Sequence, residues 1–162
     1  MIGSFKGALC LCDWTYRKKR TDIDQRIQKG LQATYKKESS PVIEKTKSQL
    51  QEYFDAERSS FDIPLCLVGS AFQKEVWQKV ILIPFGKTLS YLELSQQLQN
   101  PKAIRAVAAA NGANAISIIV PCHRIVGSDG SLTGYAGGLQ AKKSLLQLEQ
   151  SLPGSDQMSL FE

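Results

Sequence analysis

Histidine is almost missing from this chain: among 162 residues there is one, His123. A site built from several imidazoles is therefore excluded. Long apolar runs are missing as well. None approaches the roughly 20 residues that cross a bilayer, and the start, "MIGSFKGALC", lacks the apolar core of a signal peptide. Both absences point to a cytoplasmic chain that does not enter a membrane. There is no internal repeat and no low-complexity segment. Cysteine is scarce, with Cys10, Cys12, Cys66 and Cys122. Without an export signal these are expected to be reduced thiols. Cys10 and Cys12 would share one face of a strand, but a zinc site needs four ligands, usually in tight clusters. Isolated Cys66 and the lone His123 supply no second cluster. Cys10, Cys12 and Cys66 therefore read as small apolar core residues, and neither a metal nor a cofactor is expected.

What is present is ordinary in bulk and uneven in arrangement. Hydrophobic residues make up 43% and charged residues 22%, the balance of a globular protein. Lys and Arg outnumber Asp and Glu by 20 to 15, giving a net charge of +5. That excess favours a polyanionic partner, although many basic proteins bind no nucleic acid. Residues 1 to about 66 mix a hairpin, with strands around 2–5 and 8–14 about the turn "SFKG", with two charged helices. "IDQRIQKGLQATY" sets Ile23, Ile27, Leu31 and Tyr35 on one helical stripe. "PVIEKTKSQLQEYFDAE" starts a second helix at Pro41. "SSFDIPLCLVGS" reads as a strand and linker. "AFQKEVWQKVILIP" is amphipathic, with Phe72, Val76, Trp77, Val80 and Ile81 as its core side.

In "GKTLSYLELSQQLQNPKAIRAVAAANGAN", Ser90 is a candidate N-cap and Glu93 completes a capping box. That helix is expected to reach about Gln99. Asn100 then caps a second helix with Pro101 at its first position, and Gly112 and Asn114 can end it. Two short helices with a minimal connection have the pattern of a helix-turn-helix. The second carries many alanines, with Arg105 projecting among them. Major-groove readers display long polar side chains. A bare helix with one arginine suits a close approach to a backbone and a shallow minor groove. A tightly packed alanine-rich helix in a bundle fits the same residues.

The sole histidine stands in "IIVPCHRIVG", directly after Cys122. "AISIIVP" reads as a buried strand, with Cys122 at its exit. A cysteine is a nucleophile only as the thiolate. A neighbouring base can take its proton, and a carboxylate can orient that base. His123 is the one imidazole, and adjacent residues rarely face each other, so a water molecule would join them. Glu149, in "GGLQAKKSLLQLEQ", sits among leucines where an unpaired carboxylate is costly. An inert buried thiol at Cys122 also fits this chemistry.

Residues 70–150 resemble the O6-alkylguanine-DNA alkyltransferases, the methylated-DNA–protein-cysteine methyltransferase family. "FQKEVWQKVILIPFGKTLSY", "NPKAIRAVAAANGAN", "PCHR" and "GYAGGLQAKKSLLQLE" follow one another in that family's order. The N-terminal part is similar only as a short, divergent sheet-and-helix domain. The resemblance implies an α/β chain of the α+β kind. A small N-terminal sheet-and-helix domain would cover 1–66. A mostly helical, DNA-binding and alkyl-acceptor domain, with a winged-helix-like helix-turn-helix, would cover 67–150. It implies repair by irreversible, single-turnover transfer of the alkyl group from O6-alkylguanine in double-stranded DNA, and from O4-methylthymine in some members, to Cys122. His123 would be the base acting through water, and Glu149 would hold its tautomer. Asn114 would link strand and helix around the nucleophile. Tyr91 would polarise the departing guanine and press on the rotating phosphate. Arg105 would fill the gap left by the flipped nucleotide in a duplex bound through the minor groove. Backbone groups of Cys122, Ile125 and Ala136, the Tyr135 ring, and Arg124 would complete the substrate-binding set. The family often has serine where Ala136 stands, so a hydroxyl contact would be lost. Some members bind zinc in the N-terminal domain, a pattern that a single histidine cannot match. The chain is expected to act as a monomer.

Two other classes compete. A lesion binder without transfer chemistry would have its nucleophile replaced, and Cys122 is present. A transcription factor would carry polar base readers, which the alanine-rich helix lacks. The tail, 151–162, ends in "QMSLFE" after a Pro-Gly-Ser-Asp spacer. Gln157, Leu160 and Phe161 resemble the short peptide by which bacterial repair proteins dock on the DNA sliding clamp.

Overall fold

The computed structural model describes residues 1–150, so the expected clamp peptide at Gln157, Leu160 and Phe161 lies outside the described residues. Strands β1 (Ile2–Phe5) and β2 (Ala8–Cys12) form an antiparallel hairpin, with a register shift between Gly3 and Ser4. Lys6 and Gly7 make the turn, both at positive φ. β2 ends at Cys12 and not near residue 14 because Asp13 turns away and accepts from Arg17, Arg20 and Ser117. β2 is also the seam of the molecule. Leu9 bridges Leu65 in parallel on one side, and Cys12 bridges Ile116 on the other. The segment 115–117, which leads to Cys122, is thereby bonded to the N-terminal hairpin, through Cys12 N–H to Ala115 and Ser117 N–H to Cys12.

Helix α1 (Arg20–Leu31) buries Ile23 and Ile27 and ends at Gln32 in the left-handed conformation. Tyr35 therefore leaves the stripe expected for it; it is exposed, and its hydroxyl donates to Asp24. Helix α2 (Pro41–Phe54) starts as expected, with Ser40 accepting from the Ile43 N–H. The stretch 59–70 makes no strand of its own and contributes only the single bridge at Leu65. Helix α3 (Ala71–Ile81) opens on a Ser70–Gln73 capping box and buries Val76, Trp77 and Val80, while Ile81 faces outward.

The two-residue strand β3 (Leu89–Ser90) leads into helix α4 (Tyr91–Gln97), where the Ser90–Glu93 capping box forms. The helix stops two residues earlier than expected because Gln99 takes a positive φ. Asn100 does not cap through its side chain; its carbonyl starts a 3-10 turn over Pro101–Ala103. Helix α5 (Ile104–Gly112) follows and packs on α3 and α4. Residues 115–121 are buried but are not a strand. Ile118 has a φ of 73°, a left-handed backbone that breaks the run and folds Val120 back to bridge Ser117. Cys122 thus does not leave a strand; it begins the 3-10 turn Cys122–Arg124. Strand β4 (Ile125–Val126) then pairs in parallel with β3, and helix α6 (Gly138–Leu148) ends at Glu149.

The main apolar cluster takes Leu9, Cys12, Val42 and Ile63 from the first 66 residues and Val76, Trp77, Leu94, Val107, Val120 and Ile125 from the rest. One core spans both segments. Cys12 is buried in this cluster and Cys10 in a second one with Leu11, Ile23 and Ile27, against which Cys66 packs half-buried; all three sit among apolar residues, as expected. No group of three or more His, Cys, Asp or Glu that could hold a metal occurs among the described residues. Nor is any described helix long and apolar enough to cross a membrane.

Candidate active site

Cys122 is 4% exposed, and its Sγ accepts from Asn114 Nδ2 at 3.1 Å. Asn114 is itself a junction. Its Nδ2 also reaches the Val120 carbonyl at 2.9 Å, and its Oδ1 accepts from the Ile116 N–H at 2.9 Å. The asparagine follows the end of α5, so it ties that helix to the irregular segment that presents the cysteine. A second amide, Asn111 on α5, donates to the Cys122 carbonyl at 3.4 Å. Burial pushes the Cys122 thiol upward, and the Asn114 hydrogen bond offsets only part of that. The resting sulfur is a protonated thiol that needs a base.

The one imidazole of the chain stands next in sequence. His123 is fully buried, and its Nε2 lies 2.8 Å from Glu149 Oε1. A carboxylate can only accept, so Nε2 carries the proton and Nδ1 holds the lone pair. Nδ1 is buried and has no hydrogen-bond partner. Burial lowers the imidazole, and Glu149 opposes that in part. The ring is therefore neutral at physiological pH. His123 and Cys122 make no direct side-chain bond, consistent with adjacent positions on a tight turn.

Glu149 is 1% exposed but far from unpaired. Besides His123 it accepts from Arg124 Nε at 2.8 Å, Arg124 Nη2 at 3.0 Å and the Tyr53 hydroxyl at 2.6 Å. Burial alone would raise this carboxyl. The hydrogen bonds from His123, Arg124 and Tyr53 outweigh it and hold the group down to about 2. Tyr53 lies on α2, so the N-terminal segment completes the anchor. Nothing local in the sequence connects Tyr53 with a residue 96 positions away.

The placement of Arg124 corrects its assignment to the substrate-binding set. It is 6% exposed, and its guanidinium is spent on Glu149, on the Ile83 carbonyl and against the Phe85 ring. It balances the buried carboxylate and is not presented to a ligand. Ile125 is fully buried; its carbonyl accepts from Lys142 Nζ, and its N–H donates to the Cys122 carbonyl. Those backbone groups are already engaged inside the fold, although a carbonyl can accept twice. Lys142 also donates to the Thr133 carbonyl at 2.7 Å. It is fully buried, and burial lowers its ammonium to about 8. Its position within the apolar face of α6 is the one signal that sets it apart in the sequence.

Tyr91, the first residue of α4, is half-buried. Burial raises its hydroxyl, polar contact with Asn111 lowers it, and a charge on Cys122 would raise it further. Tyr135 lies in the stretch before α6, its ring edge-on to His123 with centroids 6.3 Å apart. Ala136 is half-buried in the adjoining turn. The structure thus gathers Cys122, His123, Glu149, Asn114, Tyr91 and Tyr135 in one region. Arg105 stands apart, exposed on α5 with Ile104, Ala106, Ala109 and Gly112. This outer face is small and nearly bare.

Residues 71–151 match the family model described as the DNA-binding domain of 6-O-methylguanine DNA methyltransferase. The methylated-DNA–protein-cysteine methyltransferase of Mycobacterium tuberculosis is 49% identical over 114 residues, 70% of this chain and 68% of that one. The enzyme of the same name from Methanosarcina mazei is 46% identical over 114 residues, 70% and 72% of the two chains. The fold is similar to the crystal structure of Mycobacterium tuberculosis OGT in complex with DNA. That likeness has a TM-score of 0.77 and 38% identity, covering 93% of this chain and 85% of that one. It is also similar to an O6-methylguanine DNA methyltransferase from Methanococcus jannaschii, with a TM-score of 0.57 and 26% identity over the whole of both chains.

Proposed function

The chain belongs to the 6-O-methylguanine DNA methyltransferase family, and we propose that within it Cys122 is the residue that takes the alkyl group. The protein repairs alkylated DNA directly, by transfer to one of its own cysteines. The observation that carries the assignment is the buried chain Arg124–Glu149–His123. It fixes the Nε2–H tautomer and leaves Nδ1 without a protein partner, on the residue that follows the one cysteine held by an asparagine.

The steps follow from those groups. His123 Nδ1 takes the thiol proton through a bridging water. Glu149 stabilises the imidazolium that forms, as the third member of a triad does. The thiolate attacks the carbon on guanine O6 in line, so an S–C bond forms as the C–O6 bond breaks. Tyr91 donates a hydrogen bond to the ring, and the proton lost by the thiol ends on the released guanine. The product is a thioether with no leaving group for water to displace, so each molecule reacts once.

O6 of a stacked guanine is out of reach, and extruding the base costs a few kcal/mol. The α4–α5 pair serves as the helix-turn-helix, with the bare outer face of α5 in the minor groove. Arg105 fills the stack behind the flipped nucleotide. Backbone groups of Cys122, Ile125 and Ala136 and the ring of Tyr135 frame the base. The division at residues 66 and 67 is one of roles: the second segment holds the reacting groups and the first supports them. The protein acts as a cytoplasmic monomer. Its 157–161 segment tethers it to the sliding clamp, for which titration of a labelled 151–162 peptide with purified clamp is the test; no saturable binding, or equal binding after Leu160→Ala with Phe161→Ala, removes the tether.

The test of the transfer reading is a titration with excess O6-methylguanine duplex. Repaired product should level off at one per protein, and Cys122→Ala should yield none while still binding DNA. A yield well above one, or transfer by Cys122→Ala, overturns the assignment.

A further inference from the structure

The stretch from Gly127 to Gly137 has neither helix nor strand, yet it carries Tyr135 and Ala136 to the site. Two aromatic residues from the opposite end of the chain hold it. Trp14 Nε1 donates to the Tyr135 hydroxyl at 3.3 Å, and the two rings meet edge to face with centroids 6.0 Å apart. The Tyr16 hydroxyl donates to the Gly137 carbonyl at 3.2 Å. The Trp14 and Tyr16 rings lie 5.7 Å apart. At Gly137 the fit is tight: a Cβ there would come within 2.5 Å of the Trp14 indole. Gly134 and Gly138, with φ of 41° and 84°, turn the backbone on either side. Such a backbone is readily adopted only by glycine, so the course of the stretch depends on these two residues and on what packs against it.

The clamp itself is anchored. The Trp14 N–H donates to Asp13 Oδ1 at 2.9 Å. Asp13 is 6% exposed and fixed by Arg17, Arg20 and Ser117. The segment that ends in Cys122 and the loop that faces it are therefore both referred to Asp13, the first through Ser117 and the second through Trp14. On the reading that Cys122 accepts the alkyl group, that distance sets how much room an alkyl substituent has.

We propose that Trp14 and Tyr16 are specificity-determining positioning residues, which hold the 134–138 loop against the base pocket and so limit the size of the alkyl group transferred to Cys122. Neither touches the reacting atoms. Their effect is geometric: the loop carries Tyr135, and its outward movement would enlarge the pocket. Methyl needs little space and should be insensitive to that movement, whereas a bulkier substituent should gain from it. A pocket that changes by about one side-chain group shifts discrimination by roughly 10- to 200-fold.

The test compares single-turnover rates on one duplex sequence carrying either O6-methylguanine or O6-benzylguanine, so that base flipping is common to both. Trp14→Leu should raise the benzyl-to-methyl rate ratio about tenfold. Tyr16→Phe, which deletes only the hydroxyl and keeps the ring, should raise it about threefold. Trp14→Phe should restore most of the native ratio, because an aromatic ring again fills the space beside Gly137. A merely structural role would slow both substrates alike and leave the ratio unmoved. If Trp14→Leu fails to fold, Tyr16→Phe decides alone. A ratio within a factor of about two of the native value in every folded variant overturns the proposal. Absence of transfer to Cys122 in the native chain would overturn the parent assignment and this inference with it.

Discussion

His123 donates from Nε2 to Glu149 Oε1 across 2.8 Å in a site where both side chains are closed to solvent. The carboxylate is shared with Arg124 and Tyr53. It does two jobs at once: it fixes which imidazole nitrogen is basic, and it neutralises a buried guanidinium. Glu149→Gln keeps the shape and removes the charge. Transfer should slow by about 10²–10⁴-fold, the range for loss of the orienting member of such a set. Stability should fall by about 3–5 kcal/mol because Arg124 is left buried and unpaired. Single-turnover kinetics and thermal denaturation measure the two losses; a rate within about threefold of native would remove Glu149 from the mechanism.

Acid should act on stability and rate in the same direction. Glu149 is held at about 2, below its unfolded value near 4.5. Its stabilisation is therefore complete above the unfolded value and is lost as pH falls through the folded one. His123 is depressed by burial, so the unfolded chain binds that proton more readily and stability already begins to fall below about 6.5. The stability difference between the native chain and Glu149→Gln should shrink between pH 4.5 and 2. The transfer rate should hold level from pH 8 to about 6.5 and decline only below it. A rate that halves on going from pH 8 to 7 would show His123 charging too early to serve as the base.

Arg105 is exposed on α5, away from the buried set. Arg105→Ala should slow repair of duplex DNA by at least about tenfold while barely changing reaction with free O6-benzylguanine, since a free base needs no extrusion. Equal losses on the two substrates would place Arg105 in folding or chemistry.

Arg124 faces inward, so it should not contribute to the salt dependence of DNA binding. The slope of log affinity against log salt should be unchanged in Arg124→Gln, despite a lower melting temperature. It should become shallower by about 0.9 in Lys102→Ala, which removes an exposed cation from the turn that leads into α5. A shallower slope in Arg124→Gln would restore Arg124 to the DNA-binding set.

Most of the α-helical framework was legible in the sequence, because capping boxes and apolar periodicity are local signals. Ser90 with Glu93 and Pro41 at a helix start are cases in point. What escaped depended on distant parts of the chain. The run 115–121 has strand composition, but the left-handed Ile118 and the bridges to β2 make it a buried bend. Arg124, two residues after Cys122, had the look of a ligand residue; only the return of α6 brings Glu149 to it. Tyr53, Asn111 and Trp14 reach the site through tertiary packing, and no spacing in the sequence reports it; Lys142 alone is marked, by its place on the apolar face of α6.

The most direct measurement locates the transferred group. After reaction with O6-methylguanine DNA, trypsin releases residues 106–124, between Arg105 and Arg124, with Cys122 as the sole cysteine of that peptide. The mechanism predicts that this peptide gains one methyl group in stoichiometric yield, while the peptides bearing Cys10, Cys12 and Cys66 keep their native masses. A methyl group on any of those three, or an unmodified 106–124 peptide after repair has gone to completion, would contradict it.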